Sequence, residues 1–449
     1  MEAYEMVLPT QVQFALDRLS AHGFAAFVVG GCVRDSILGR VPNDWDITTA
    51  ARPEETAACF SDFRVIETGI KHGTVGVLLD GMLLEITTYR QDGAYLDNRH
   101  PESVSFSTDV RDDLSRRDFT VNAMAYHPKH GLVDLFGGKA DLEARVIRAV
   151  GDPKTRFEED GLRILRAIRF AAVLNFGIDA ATANAVHECR ALLSNIAAER
   201  IREEFCKLLC GYGAVRILRE YVDVIAVFAP ELARMVGFDQ NTKYHCYDVF
   251  EHTMYALEEN RSDDLVTRLS ILLHDIGKPL CYTEDELGGH FKGHAPIGVE
   301  ITDALLHRLR FDNDTVARVK LLVELHDLPF AAERKTVKRL MRRLSDEDIL
   351  RLMEVKRCDR LAHAEFFREP PPELEQIPIV MRQLRAEEAC ISLKDLAING
   401  DDLIRSGVPK GKRIGEILAY LLEEVIEERV ENDRTTLMRL AGSFTVSND

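Results

Sequence analysis

Two aspartates one residue apart, Asp44 and Asp46 in D-W-D-I-T, are the first residues whose spacing suggests chemistry. In an extended strand, residues i and i+2 point to one face, roughly 7 Å apart along the backbone. Two carboxylates so placed can hold a pair of divalent ions about 4 Å apart. Upstream, the apolar run Ala25–Val29 feeds a Gly30-Gly31 turn and then a helical pattern. Such a turn presents bare N–H groups and the positive end of the helix dipole, which suits a phosphate chain. Either element alone is common in solvated turns; side by side, they imply transfer chemistry on a nucleoside triphosphate.

Joined as G-G-C-V-R-D, a short helix and D-W-D-I-T, the stretch resembles the first motif of polymerase-β-like nucleotidyltransferases. More narrowly, it resembles the class II tRNA nucleotidyltransferase (CCA-adding) and bacterial poly(A) polymerase family, and the resemblance runs from about Gly23 to Leu440. It implies two Mg²⁺ at Asp44 and Asp46, with Gly30, Gly31 and Arg34 toward the triphosphate. It also implies a third carboxylate from a neighbouring strand, for which Glu85 in L-L-E-I-T-T-Y-R is the candidate. A single charge between apolar neighbours equally fits the solvent face of a half-buried strand.

The segment D-L-S-R-R-D-F-T-V-N-A-M-A, Asp113 to Ala125, resembles the family's second motif. There the resemblance assigns Arg117 to the triphosphate and Asp118 and Asn122 to ribose hydroxyls. The chemistry is apt: an arginine fork suits phosphate oxygens, and carboxylate or amide oxygens accept from a hydroxyl. The polar stretch Arg90 to Phe106 is similar to the flexible loop that members adding all of CCA carry and CC-only members lack. The resemblance thus implies CTP and ATP as substrates and a tRNA 3′ end as partner. A poly(A) polymerase or an A-only enzyme shares every motif named.

In Gly151 to Phe170, Leu162, Leu165 and Ile168 make an apolar stripe at i+3 spacing. Asp160, Arg163, Arg166 and Arg169 make a polar stripe about 100° round. By residue type this is a salt-bridged surface helix; the match to the family's E-D-x-x-R and L-R-A-x-R-F favours a nucleotide-reading face. Aspartate accepts only and arginine donates only. An acceptor facing the exocyclic amine of C or A, beside a donor facing N3 of C or N1 of A, satisfies both bases and opposes U and G. Asp160 and Arg163 are therefore expected to select the base, with Arg166 and Arg169 holding the nucleotide.

H-T at His252-Thr253, H-D-I-G-K-P at His274–Pro279 and C-D-R-L-A-H around Asp359 resemble the HD phosphohydrolase superfamily. His252, His274, Asp275 and Asp359 can hold one or two transition-metal or Mg²⁺ ions for phosphoester hydrolysis. His290, His294 and the pair His326-Asp327 are further donors. A metal-dependent phosphohydrolase whose head only positions RNA is thus a rival reading, against which the intact D-W-D argues.

These residues need a scaffold larger than one core, and 449 residues predict two to four domains. Strand patterns at Ala25–Val29, Trp45–Thr49, Thr74–Leu79 and Met82–Tyr89 interleave with helical ones at Gln11–Ala21 and Pro53–Cys59. Asp80-Gly81 is a hairpin signal. From Arg156 onward the pattern is nearly all helical. The expected fold is α+β: a polymerase-β-like head, mostly an antiparallel sheet with helices, over 1–150. An all-α neck with the nucleotide-selecting helix follows over 151–235, then an HD-type body over 236–370. A helical tail over 371–449 would contact RNA through the G-V-P-K-G-K turn. Linkers are expected near Gly151–Pro153, Val236–Lys243 and Phe367–Pro378.

Lys+Arg 57 against Asp+Glu 74 gives a net charge of −17, which taken alone argues against nucleic acid, although binding depends on where basic residues cluster and not on their sum. Basic clusters exist all the same: Arg163, Arg166 and Arg169, and a run of Arg334, Lys335, Lys338, Arg339, Arg342 and Arg343 that fits either RNA contact or a solvated helix face. No apolar run spans a bilayer, and the N-terminus lacks a basic region followed by an apolar core, so no membrane partner is expected. Nine cysteines without a C-x-x-C pair fit free thiols in the cytoplasm.

Overall fold

Alternating burial builds the first sheet. In Thr74–Leu79, Val75, Val77 and Leu79 are buried; in Met82–Thr88, Leu84, Ile86 and Thr88 are. Asp80 (φ 44°) and Gly81 (φ 85°) both take positive φ between them, the conformation whose twist suits a two-residue hairpin. The computed structural model describes residues 5–67, 69–70, 73–92, 104–286 and 288–446. The strands up to Asp134 are β1 (Ala26–Val29), β2 (Asp46–Thr49), β3 (Arg64–Ile66), β4 (Thr74–Leu79), β5 (Met82–Thr88), β6 (Arg90–Asp92), β7 (Val104–Phe106), β8 (Met124–His127) and β9 (Gly131–Asp134).

Seven of them form one sheet in the order β3-β4-β5-β2-β1-β8-β9. Every pair in it is antiparallel except β2 with β5. Strands β3, β8 and β9 were not anticipated: β3 has three residues, β8 is buried on both faces, and β9 is half-buried throughout, so none alternates. The ribbon of β6 and β7 closes the base of the Arg90 to Phe106 stretch; the loop expected there falls largely on 93–103, outside the described residues. Helix Thr10–Ala21 covers the sheet with Val12, Ala15, Leu16 and Leu19, an i, i+3, i+4, i+7 stripe.

Contacts divide the chain into two units, Met1–Ala233 with Arg308–Arg310, and Arg234–His307 with Phe311–Asp449. The first unit continues past the sheet in helices. The single stripe expected from Asp160 onward is broken at its first residue. The chain leaves helix Pro153–Glu159 at Asp160 (φ −137°, ψ 104°) and re-enters it at Leu162–Leu174. Two contacts explain the break. Asp160 Oδ1 accepts the Leu162 N–H at 3.0 Å, satisfying a free donor of the second helix's first turn, and Gly161 abuts Leu192, whose Cβ would lie 3.2 Å from an added side chain. Arg163, Arg166 and Arg169 do share a half-buried face of the second helix, about 100° round from buried Leu162, Leu165 and Ile168.

The second unit is helical around Leu322, Val337, Leu340, Ile349, Leu352 and Ile377, with a further cluster of Leu403, Ile417, Leu421 and Leu437. The linker expected to run to Pro378 is shorter, because helix Glu373–Ala386 includes that proline. Its buried stripe, Leu374, Ile377, Met381 and Leu384, offsets the backbone hydrogen bond that Pro378 cannot donate. The basic run on helix Arg334–Arg343 is neither bare nor merely solvated. Arg334 pairs with Glu387 at 2.6 Å, Lys338 with Glu428 at 2.9 Å, Arg343 with Glu324 at 2.8 Å, Arg342 with Glu423 at 3.2 Å, and Arg339 with Glu427. Acidic neighbours far along the chain neutralise it. Among the described residues, no helix is long and apolar enough to cross a membrane.

Candidate active site and metal cluster

Strand β1 runs into Gly30, whose φ of 81° and ψ of −128° only glycine adopts without strain. A Cβ there would lie 2.8 Å from Arg117 Nη1, so the guanidinium rests on the glycine. Arg34, on helix Gly31–Ile37, stands on the other side, its Nη2 3.7 Å from the place of a Gly31 Cβ. Asp35 holds Arg34 through two hydrogen bonds at 2.8 and 2.9 Å, so this guanidinium is fixed in place beside the turn.

Asp44, Trp45, Asp46 and Ile47 alternate exposed and buried, so both carboxylates take one face although β2 begins only at Asp46. The parallel register of β2 with β5 sets Asp46 directly opposite Glu85; both are exposed, while Ile47 and Ile86 beside them are buried. Protein packed close to Asp46 partly shields its carboxylate and raises its pKa; Arg117 opposes this, and Glu85 and Asp44 reinforce it. Three carboxylates that repel one another are a donor set a divalent cation relieves.

Behind them, fully buried Asp113 holds Arg116 at 2.6 Å and Arg117 at 3.2 Å. Burial alone would raise its pKa, but the two arginines hold it below the usual carboxylate value. Asp118 accepts from Asn122 Nδ2 at 3.1 Å and from Arg166 Nε at 2.8 Å. Burial pushes Asp118 up, yet Arg166 and the Asn122 hydrogen bond more than offset it and hold the pKa at about 2. Asn122 Oδ1 in turn accepts from Arg34 Nη1 at 2.7 Å. Arg34, Asn122, Asp118 and Arg166 thus form one continuous chain.

Asp160 and Arg163 are held by third parties. Arg163 donates to Glu159 at 2.6 Å, to the Arg116 carbonyl at 2.9 Å and to the Arg156 carbonyl at 3.1 Å. Asp160 Oδ2 accepts from Arg200 at 3.2 Å. Glu204, only 5% exposed, takes Arg169 at 2.7 Å and Arg166 at 3.5 Å. The Phe170 ring gathers the guanidinium groups of Arg169, Arg34 and Arg166, at 3.5, 5.2 and 5.3 Å from its centroid. Sequence reasoning missed Glu159, Arg200, Glu204 and Asp113. Glu204 reads as one more polar position on an amphipathic helix, Ala198–Leu209, and its burial shows only in the fold. Glu159 stood beside Asp160 in E-E-D, a signal that was available.

In the second unit, His252, His274, Asp275 and Asp359 converge, with ligand atoms within 4.8 Å of one another. His252 Nε2 lies 2.9 Å from Asp359 and 3.4 Å from Asp275; His274 Nε2 lies 3.5 and 3.2 Å from the same carboxylates. Burial opposes charge on His274, but Asp275 and Asp359 push its pKa up to about 10, so a cation is favoured at this point. Lys278 pairs with Asp275 at 2.6 Å and donates to Gln240. His290 does not join the cluster; it pairs with Asp285 at 2.9 Å across a short ribbon. Asp327, Lys278 and Lys292 line the adjoining cavity of about 300 Å³.

Residues 26–148 match the Poly A polymerase head domain, 175–235 the RNA- and SrmB-binding site of polymerase A, and 298–441 domain 2 of tRNA nucleotidyltransferases. The CCA-adding enzyme of Limosilactobacillus fermentum is 34% identical over 96% of this chain and 95% of its own length. That of Streptococcus suis is 34% identical over 96% of both. The Bacillus stearothermophilus CCA-adding enzyme, solved in complex with CTP, aligns with a TM-score of 0.75 at 28% identity, covering 98% of this chain and 99% of that one. The α+β architecture with a polymerase-β-like head is therefore as the sequence implied. By full-length identity and fold, the chain belongs to the CCA-adding enzyme family of nucleotidyltransferases.

Proposed function

We propose that this chain adds C, C and A to tRNA 3′ ends from CTP and ATP, without a nucleic-acid template. The observation that carries the reading is the Asp46–Glu85 register beside the Gly30–Arg117 turn, which gathers carboxylates and guanidinium groups along the central strands of the sheet. The relatives named above are all CCA-adding enzymes, which favours this over poly(A) or A-only addition.

Asp44 and Asp46, with Glu85 as the third carboxylate, would hold two Mg²⁺; their mutual repulsion fits that donor set. Bound there, the ions supply positive charge for the reacting 3′-oxygen and the leaving pyrophosphate. Arg34 and Arg117, over Gly30 and Gly31, orient the triphosphate. Asp118 and Asn122 accept from the ribose. Asp160 and Arg163 select the base, each already immobilised by Arg200 or Glu159, and Arg166 and Arg169 hold the nucleotide with Glu204 behind them. Each Asp160 oxygen accepts one bond and keeps a lone pair for an exocyclic amine. The four-part division into head, neck, body and tail is part of this proposal, with RNA held by shape and phosphate contacts and weakened by salt. The cysteines are all free, which supports a reducing, cytoplasmic setting.

His252, His274, Asp275 and Asp359 are proposed as a second metal site, suited to phosphoester hydrolysis. The primary test is incubation with tRNA lacking CCA, plus CTP and ATP, followed by sequencing of the products. Addition of C-C-A and then a stop is expected. A single A or a long A tail would overturn the reading.

A further inference from the structure

We propose that Leu83, with Ile66 and Leu78 beside it, seats the terminal base of the RNA being extended, and that this floor holds the base without reading it. The inference rests on the proposed C-C-A addition and adds where the acceptor strand lies.

Its direction follows from the reaction. In phosphoryl transfer the attacking and leaving oxygens stand roughly in line, on opposite sides of the phosphorus. Gly30 and Arg117, assigned to the triphosphate, sit where β1 ends. In the sheet, β1 and β8 lie on one side of β2, and β5, β4 and β3 on the other. With the leaving pyrophosphate toward β1, the attacking 3′-oxygen reaches Asp46 and Glu85 from the side of β5, β4 and β3.

The register shows what lies there. Glu85 pairs with Asp46 and with Gly76, and Gly76 pairs with Ile66, so the four make one row. Two residues back along β5, Leu83 pairs with Leu78, and Leu78 with Arg64. Residues two apart in a strand share a face, so this second row points the same way as Glu85. A Cβ on Gly76 would lie 3.3 Å from Ile66 Cβ and 3.3 Å from Leu83 Cδ1, so these two side chains lean together over the glycine. The result is one continuous apolar floor beside the carboxylates, with Leu83 50% exposed and Ile66 and Leu78 half-buried. A single exposed leucine is ordinary. Three apolar groups joined next to the carboxylates, on the path of the attacking oxygen, are a place for a base to rest.

The chemistry of the floor fits an acceptor that changes. During C-C-A addition the acceptor ends in the RNA's own last base, then in C, then in C again. A site that hydrogen-bonded one base would reject others by leaving its polar groups unpaired. Ile66, Leu78 and Leu83 offer no donor or acceptor in their side chains, and apolar burial is non-directional. Arg64 is exposed two strands from Glu85, about 10 Å at the usual strand spacing, within reach of the phosphate behind that nucleotide.

Two experiments on the full chain test this. In the first, tRNAs lacking CCA and ending in A, C, G or U are extended by the parent and by Leu83→Ser, with thermal melting as the check on folding. The variant should raise KM for each tRNA by about tenfold, about half of a leucine's burial being lost, and leave KM for CTP unchanged. In the second, a tRNA ending in 4-thiouridine is irradiated on the parent and the cross-linked peptide is identified by mass spectrometry. A cross-link to β3, β4 or β5 is expected. A cross-link elsewhere, an unchanged KM for tRNA in the variant, or a loss confined to one terminal base would overturn the floor and leave C-C-A addition standing. A parent that extends none of the four tRNAs would overturn the reading on which the floor rests. The cross-link is made on the parent, so it decides the matter even if the serine variant does not fold.

Discussion

Replacing Asp160 by alanine separates base selection from support of the helix's first turn. Oδ1 accepts the Leu162 N–H at 3.0 Å and Oδ2 accepts from Arg200 at 3.2 Å, so the carboxylate is oriented before any nucleotide arrives. A hydrogen bond to a charged group is worth about 1.5–3 kcal/mol, or about 10- to 150-fold in kcat/KM. CTP and ATP, which offer an amine to this acceptor, should lose that factor. UTP and GTP present a carbonyl there and lose no bond, so discrimination should narrow by at least as much. Loss of the hydrogen bond to the Leu162 N–H costs a further ~1–3 kcal/mol of stability, which is common to all four nucleotides. The assay is kcat/KM for each triphosphate separately, on tRNA ending at each stage of addition. Arg200→Ala serves as the companion, since it unties the carboxylate without removing it. A uniform loss across the four triphosphates, with their ratios unchanged, would refute the selection argument and leave Asp160 as a partner of the helix's first turn.

Asp46→Ala should cut incorporation by on the order of 10²–10³-fold or more without lowering the melting temperature; activity within tenfold of the parent would remove the metal role. Asp118 has a folded pKa of about 2, below its ordinary 3.8, so its contribution is fully present above 3.8 and disappears as pH falls toward 2. That stabilisation is about 2 kcal/mol, and the acid-unfolding curves of the parent and Asp118→Asn should converge across this window; parallel curves would contradict it. Gly30→Ala meets both the positive φ and the Arg117 guanidinium, so it should cost about 1–3 kcal/mol in stability and raise KM for the triphosphates. Melting and steady-state kinetics read both, and an unchanged KM would detach Arg117 from triphosphate binding.

The sequence by itself determined what contiguous residues encode. The β4–β5 hairpin was legible because alternation and the Asp80-Gly81 turn are properties of neighbours. The shared face of Asp44 and Asp46, and the donor types in H-T, H-D and the distant Asp359, were legible for the same reason. Burial on both faces hid β8, and a break in the helix hid the separation of Asp160 from the arginine helix. Only the tertiary structure decided that Glu85 lies beside Asp46, that Glu204 anchors two arginines, and that the basic run on Arg334–Arg343 is neutralised by Glu387, Glu423, Glu427 and Glu428. It also brought His252, His274, Asp275 and Asp359 within 4.8 Å of one another. Each of these turns on a partner far away along the chain. Local pattern records which groups can donate, accept or repel; packing and register settle which of them meet.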